Sequence, residues 1–266
     1  MKIVSKGKVL NSQSFYEKKK RRRRIKLLVL SIGLLLLLVS LIYCSRHRLV
    51  LVSEIIVPGE EIIDRDKIIS TVENELSGYY LWVIPRANAL LYPKNTIEEI
   101  LLREFPRLES VNLNLDNFRT LYVNVDEREP STMYCEEKSE CYFLDKEGFI
   151  FAIAPSFTGT VYFVYTTEDK IEKPLGRRLR PVEEFERLSK FVESLVALNI
   201  NSTGLKIGDN EYSLILQNGG EILWRQNSDT NLVYANLEAF LTTESIRVQT
   251  DFLDKVAHLD LRTENK

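Results

Sequence analysis

The residues that could carry out nucleophilic or metal chemistry are few and widely scattered in this sequence. It contains two histidines, His47 and His258, and three cysteines, Cys44, Cys135 and Cys141. A structural zinc site usually takes four Cys or His ligands, so it would need nearly all of these residues from distant positions. The composition therefore predicts no metal site and no cofactor.

The sequence also gives little support for a catalytic site. A catalytic triad would have to use His47, which closely follows an apolar segment, or His258. There is no Gly-x-Ser-x-Gly, no His-Glu-x-x-His and no glycine-rich phosphate loop. Chemistry based on a pair of carboxylates stays open, because acidic residues are abundant, but the sequence favours a protein that is not an enzyme.

Cys135 and Cys141 form the one cysteine pair whose spacing suggests a bond. They flank a charged loop of five residues between two candidate strands, so antiparallel pairing would place them opposite each other. A compartment outside the cytoplasm would permit a disulfide, while two free thiols or a metal site remain alternatives. Cys44 lies at the end of an apolar segment and is expected to have no chemical role.

The charge is distributed unevenly along the 266 residues, whose formal net charge is −2. Residues 1–26 contain eleven Lys and Arg but a single acid, Glu17, which gives about +10 and leaves about −12 for the remainder. A split of this kind indicates a tail and a body that meet different partners. The acidic body argues against general nucleic-acid binding.

Residues 27–45 are predicted to form a transmembrane helix. These 19 residues contain no charge, and as a helix they would rise about 28 Å, close to the hydrocarbon thickness of roughly 30 Å. A cleavable signal peptide is the competing interpretation, but its apolar region is usually shorter and a small-x-small cleavage site should follow. The sequence continues instead with Arg46, His47 and Arg48, so we expect an uncleaved anchor.

The flanks of this segment predict its orientation. Eleven basic residues precede it and only Arg46 and Arg48 closely follow it, so the positive-inside rule places residues 1–26 in the cytoplasm and residues from 46 onward outside it. The chain is then a type II single-pass protein of the cell membrane. The basic run at 18–24 could be a nucleic-acid patch, but beside a membrane helix it favours binding to anionic lipid.

The first part after the span is predicted to be a module of two helices and three strands. Thr96 and Glu99 have the spacing of a capping box, and Pro106 closes the helix that would begin there. The two helices would cover one face of a three-stranded sheet. The predicted order is a strand at 49–57, helices at 64–76 and 96–105, and strands at 111–115 and 121–125 around a turn at 117–119.

The rest of the chain is predicted to be an antiparallel sheet backed by helices, which makes the whole protein α+β. Asn218-Gly219 is a strong hairpin signal, and Pro181 is a favoured first residue of a helix. The predicted strands are 131–135, 141–145, 149–153, 159–165, 211–216, 221–225 and 257–261, with helices at 181–198 and 230–241.

Four short motifs, in this order, resemble those of the FtsQ/DivIB family of bacterial cell-division proteins. They are an aromatic-Pro pair at the end of the second helix, a strand ending in Glu-Arg-x-Pro, an aromatic-x-x-Asp-x-x-Gly-x-x-Phe element and an Asp-Leu-Arg strand. Here they are Phe105-Pro106 with the strand at Val111, residues 125–130, residues 142–151 and Leu259-Asp260-Leu261-Arg262.

The resemblance implies a POTRA domain at 46–128 and a β domain of the FtsQ type at 129–266. It also implies a non-enzymatic divisome scaffold, enriched at the septum, that helps regulate septal peptidoglycan synthesis. Its partners would be FtsB/FtsL-like coiled-coil proteins. A POTRA-bearing protein of translocation or envelope assembly is the alternative, although such proteins normally carry several POTRA repeats or a long barrel.

The resemblance further implies that the partner adds a strand to the edge formed by the last strand. The sequence stops at Lys266, where related chains often continue, so we expect a shorter edge here. The partner-binding residues would be His258, Leu259, Asp260, Leu261, Arg262, Thr263, Glu264 and Asn265.

Some of these charged residues have a structural interpretation as well. Glu127 and Arg128 could form an ion pair with each other at the surface or between domains, or contact a partner. Asp260 and Arg262 share a strand face, so they could form a structural pair or a docking contact.

Two further groups are expected to be structural. Asp145 and Gly148 indicate a tight turn rather than a site. Tyr79, Tyr80 and Trp82 are expected to pack under the second helix, although an exposed remainder could bind a partner.

Overall fold

The computed structural model describes residues 12–136, 140–156, 161–247 and 252–262. The chain divides into two compact units. The first unit holds the chain up to residue 58 together with 64–97 and 112–124, and the second holds 59–63, 98–111 and the chain from 125.

The N-terminal helix α1 covers Ser12–Ser45. It is long and apolar enough to cross a membrane, with a mean hydropathy of 2.8 in its most apolar window, and no residue of that window is buried in protein. By length and composition it would also suit a signal sequence. The helix begins well before residue 27 because the Lys and Arg residues of the tail are good helix formers.

The seven elements between residues 54 and 127 include a three-stranded sheet of order β1-β5-β4, in which β1 runs parallel to β5. A tight turn joins β4 to β5, with Asn117 and Phe118 both at positive φ. The elements are β1 (Glu54–Ile56), α2 (Arg65–Leu76), β2 (Tyr79–Tyr80), β3 (Ile84–Pro85), α3 (Lys94–Glu104), β4 (Leu108–Asp116) and β5 (Thr120–Glu127).

The prediction of helix α2 was confirmed, whereas the predicted start of α3 was wrong. The Asp64 carboxylate caps α2 by accepting from the Asp66 N–H, and the buried residues of the helix recur every four positions. The capping box at Thr96 does not form, because α3 already begins at Lys94. The Pro93 carbonyl accepts the first helical bond, from the Ile97 N–H, so Thr96 lies inside the helix.

The second unit is built on an eight-stranded sheet of order β13-β12-β11-β10-β9-β6-β7-β8. Its strands are β6 (Thr132–Cys135), β7 (Cys141–Leu144), β8 (Ile150–Ile153), β9 (Val164–Thr167), β10 (Ser202–Ile207), β11 (Glu211–Leu216), β12 (Glu221–Arg225) and β13 (His258–Asp260). Its helices are α4 (Val182–Ser194), α5 (Thr230–Thr242), α6 (Glu244–Arg247) and α7 (Phe252–Lys255).

This sheet is mixed, so the prediction of an antiparallel sheet was wrong. Strand β9 runs parallel to both β6 and β10, and β13 runs parallel to β12. Parallel neighbours need a long crossover connection. The segments at 168–201 and 226–257 supply two such crossovers, and they contain α4 and α5.

Both faces of the sheet are apolar at β6 and β7. On β6 and β7, Tyr134 and Tyr142 belong to the main core, while Met133 and Phe143 belong to a second cluster. This alternation is the period of two that a strand imposes. Helix α4 contributes Phe185, Leu188 and Phe191 to the main core.

The structure joins Cys135 and Cys141 by a disulfide across the β6–β7 pair. The bond closes a loop of only a few residues, so its chain-entropy contribution is about 2 kcal/mol. We therefore expect the double variant Cys135→Ser/Cys141→Ser to lower the free energy of unfolding by about that amount. Urea titration of oxidised protein measures it. Wild-type protein under reducing conditions is the control and should match the variant; a variant as stable as oxidised wild type would contradict the prediction.

Candidate functional site

The strand predicted to dock a partner lies at the edge of the eight-stranded sheet. Among the described residues, β13 pairs only with β12. The Leu261 N–H donates to the Leu223 carbonyl (2.8 Å), and the Glu221 N–H donates to the Ala257 carbonyl (3.1 Å). The backbone N–H and C=O groups that point towards β12 therefore belong to the odd-numbered residues of this strand and its flanks.

The backbone of His258 and Asp260 faces the free side of this edge. Backbone groups alternate along a strand, so the residues between those bonded to β12 direct their N–H and C=O groups away from it. Their side chains are exposed, while Leu259 and Leu261 are half-buried against the main core. A strand added here would form backbone hydrogen bonds with two residues of the described edge. It would also contact the side chains of alternate residues.

Asp260 and Arg262 form a structural pair that closes the end of the strand. The Asp260 carboxylate accepts from the Arg262 N–H (2.9 Å), Nε (2.9 Å) and Nη2 (2.7 Å). Arg262 Nη1 also donates to Glu211 on β11 (2.7 Å). These side-chain and backbone bonds from Arg262 hold the pKa of Asp260 well below its usual range. The outward N–H of Arg262 is thus already engaged.

The predicted edge extended further, to Thr263, Glu264 and Asn265. These three positions lie outside the described residues. The described edge is therefore His258–Asp260 followed by Leu261 and Arg262.

Glu127 is not paired with Arg128, which corrects the predicted ion pair between these neighbours. Glu127 Oε1 instead accepts from three successive backbone N–H groups, at Glu61, Ile62 and Ile63, each at 2.9 Å. Its Oε2 accepts from Arg107 Nε at 3.0 Å. The carboxylate is almost fully buried, and it fastens the turn at 61–63 to the end of β5.

The bonds to Glu127 determine its charge state. Burial acts to raise the pKa of this carboxyl, but the bonds from the Ile63, Glu61 and Ile62 N–H groups and from Arg107 outweigh it and lower the pKa below its ordinary value. Glu127 is therefore ionised at neutral pH, with each oxygen satisfied.

Arg128 pairs instead with Asp145. Its guanidinium also lies over the Phe149 ring, 4.3 Å from the centroid. Asp145 Oδ1 accepts from the Glu147 and Phe149 N–H groups (2.8 and 2.9 Å). The expected tight turn is present, and the same Asp145 carboxylate positions Arg128.

In the aromatic segment after α2, Tyr79 and Trp82 are exposed and Tyr80 is half-buried, so the expectation that the segment packs under the second helix was wrong for Tyr79 and Trp82. It forms the hairpin of β2 and β3. Trp82 at its tip is 93 % exposed and Leu81 is 88 % exposed. The tip of the hairpin is therefore a second candidate surface.

The described parts of the chain were compared with the geometry of a metal site and with known proteins. There, no group of three or more His, Cys, Asp or Glu side chains is arranged to hold a metal ion. No protein-family model matches the sequence. A search of curated proteins also finds no significant similarity. The candidate site thus rests on the geometry of the β13 edge and on the motifs of the sequence.

Proposed function

We propose that this chain is a single-pass membrane scaffold of bacterial cell division, of the FtsQ/DivIB type, that docks a coiled-coil partner on the β13 edge. The observation that carries the proposal is the position of β13: the strand in which the Asp-Leu-Arg motif begins lies at the sheet edge among the described residues, with outward backbone groups at His258 and Asp260. Such an edge can add a strand, with backbone bonds giving affinity and alternate side chains giving specificity.

The elements between residues 54 and 127 support a POTRA domain in this proposal. Their order includes strand β1, helices α2 and α3, and strands β4 and β5, which matches the order expected for the family. The hairpin of β2 and β3 is inserted between the two helices. A non-enzymatic role agrees with the absence of familiar catalytic motifs in the sequence.

Helix α1 supports the proposed membrane anchor. Its apolar part is exposed along its length, and its N-terminal part carries the basic run Lys18–Arg24. In the proposal this run stays at the cytoplasmic face, where anionic lipid attracts it. The chain from residue 46 onward then works outside the cytoplasm, with the whole protein concentrated at the septum.

The proposal predicts a distinctive location and phenotype. A fluorescent protein fused to the N-terminus should gather at midcell in dividing cells, and depletion of the chain should give filaments without septa. The control is the same fusion truncated after Arg48, which keeps α1 and should label the whole envelope. Uniform labelling by the full-length fusion, with normal division after depletion, would contradict the proposed function.

A further inference from the structure

The hairpin of β2 and β3 holds two large apolar residues in a conformation that favours small polar ones. Its turn is closed by the Val83 N–H, which donates to the Tyr80 carbonyl at 3.0 Å. Leu81 and Trp82 both have positive φ, 47° and 66°. Asn and Gly are the usual residues at two successive positions of this kind, because other side chains crowd the backbone there.

The same two side chains are also among the most exposed apolar groups in the described chain. Leu81 is 88 % and Trp82 is 93 % accessible. In water, this tip is thus unfavourable both for its backbone and for its side chains. An exposed apolar patch of this type marks a surface that meets an apolar environment.

The hairpin is attached directly to the end of α1. Arg46, the residue after the helix, donates from Nε to the Val83 carbonyl at 2.9 Å, and its guanidinium lies 5.7 Å from the centre of the Tyr79 ring. The buried Asn88 donates from Nδ2 to the Ser45 carbonyl at 2.9 Å. These bonds hold the hairpin and the segment after it at the point where the apolar helix ends.

The surroundings of the tip match a lipid interface. Further exposed leucines lie in the segments bonded to the same helix end, at Leu49, Leu90 and Leu91. Basic side chains accompany them at Arg46, Arg48 and Arg86, and Arg86 lies over the Tyr80 ring. Tryptophan is enriched at membrane–water interfaces, and arginine binds anionic headgroups.

We infer that Leu81 and Trp82 insert into the non-cytoplasmic interface of the bilayer that α1 spans, so that the hairpin holds the part of the first unit that follows α1 against the membrane. The inference rests on the proposed span, because the bonds of Arg46 and Asn88 place the tip beside the end of α1. The bilayer is favoured over a protein partner for the same reason: these bonds keep the exposed tip next to the end of the apolar helix.

The test uses Trp82 as its own probe in the full-length chain. The sequence has one other tryptophan, Trp224, which is 1 % exposed, so Trp224→Phe leaves Trp82 as the only tryptophan, which is excited selectively at wavelengths that tyrosine does not absorb. The protein is reconstituted into nanodiscs of phosphatidylcholine and phosphatidylglycerol, with or without brominated phosphatidylcholine. We expect bromine to quench Trp82 emission at least twofold and iodide to quench it several times less than free N-acetyltryptophanamide.

Two further variants separate insertion from a merely structural hairpin. Leu81→Asn suits the positive φ, so thermal stability should be unchanged or higher while bromine quenching falls at least by half. Leu232→Asn changes a half-exposed leucine of α5 and should leave the quenching unchanged. If Trp224→Phe fails to fold, the difference between wild-type and Trp82→Phe emission supplies the same measurement.

Carbonate extraction of native membranes distinguishes the two proposals. Retention of the chain together with bromine quenching of Trp82 supports both. Retention of the chain with Trp82 freely open to iodide, or with quenching unaffected by Leu81→Asn, overturns the hairpin inference alone. Release of the chain into the carbonate supernatant overturns the span and the inference together.

Discussion

Glu127→Gln is expected to lower the free energy of unfolding by about 3 kcal/mol at pH 7. One Glu127 oxygen accepts from three backbone N–H groups and the other accepts from Arg107. The substitution removes the negative charge to which all four groups donate. Glutamine offers a single oxygen. Its amide nitrogen is a donor and must face either the three N–H groups or the guanidinium, and removing one partner of a buried pair is costly.

The effect of this substitution should depend on pH with a defined sign. The bonds lower the folded-state pKa of Glu127 below its ordinary value of 4.5. The carboxylate therefore stabilises the fold fully above about pH 4.5, and this contribution is lost as the pH falls through the folded-state pKa. The gap in stability between wild type and Glu127→Gln should accordingly be largest near neutral pH and narrow in acid.

Urea unfolding of the full-length chain in detergent, followed at pH 7 and at pH values below 4, measures both effects. Glu109→Gln is the matched control, since Glu109 is an exposed glutamate on the neighbouring strand β4. It should change the free energy of unfolding by no more than about 0.5 kcal/mol. A Glu127→Gln protein as stable as Glu109→Gln at pH 7 would show that the carboxylate does not fasten the turn at 61–63.

The features that the sequence predicted are those set by neighbouring residues. Asn218-Gly219 marks the β11–β12 hairpin because its turn needs a residue at positive φ, the position that Gly219 takes (84°). Pro181 marks a helix start by local backbone chemistry, and the helical spacing of Ile68, Val72 and Leu76 predicts α2. The alternation at 111–115 and 121–125 likewise indicates two half-buried strands, and the structure has β4 and β5 there.

The features that were missed depend on residues far apart in the chain. Strand β10 was not predicted, and its parallel contact with β9 joins segments separated by the whole of α4. Arg107 and Glu211 also gave no signal, because their roles arise only where Glu127 and Arg262 reach them. A charged residue beside a strand usually indicates a solvated surface, so composition alone could not single out these two.

The prediction that Trp82 packs under a helix failed for a different reason. A Tyr-Tyr-Leu-Trp run normally indicates core packing, because aromatic side chains bury large areas. Here the turn puts Leu81 and Trp82 at positive φ and directs them into solvent. Residue types that disagree with their local conformation are expected at functional surfaces, and this disagreement became visible only in the structure.

If the proposed FtsB/FtsL-like partner docks on β13, His258→Pro should weaken its binding at least tenfold. Proline removes the outward N–H of His258, and the bonds of Ala257 and Leu261 to β12 do not use that group. A tenfold loss corresponds to about 1.4 kcal/mol, close to one backbone hydrogen bond. Co-purification of the full-length chain with the co-expressed partner, and titration of the purified pair, measure the change.

The decisive comparison is with His258→Ala, which keeps the N–H and loses only the side chain. If docking occurs by strand addition, His258→Ala should bind within about threefold of wild type, because the affinity comes mainly from backbone bonds. An equal loss in both variants would assign the contact to the imidazole instead. Wild-type affinity in His258→Pro, with an unchanged thermal midpoint, would remove β13 as the docking edge. The outward N–H of Arg262 cannot substitute in either case, since Asp260 already accepts from it.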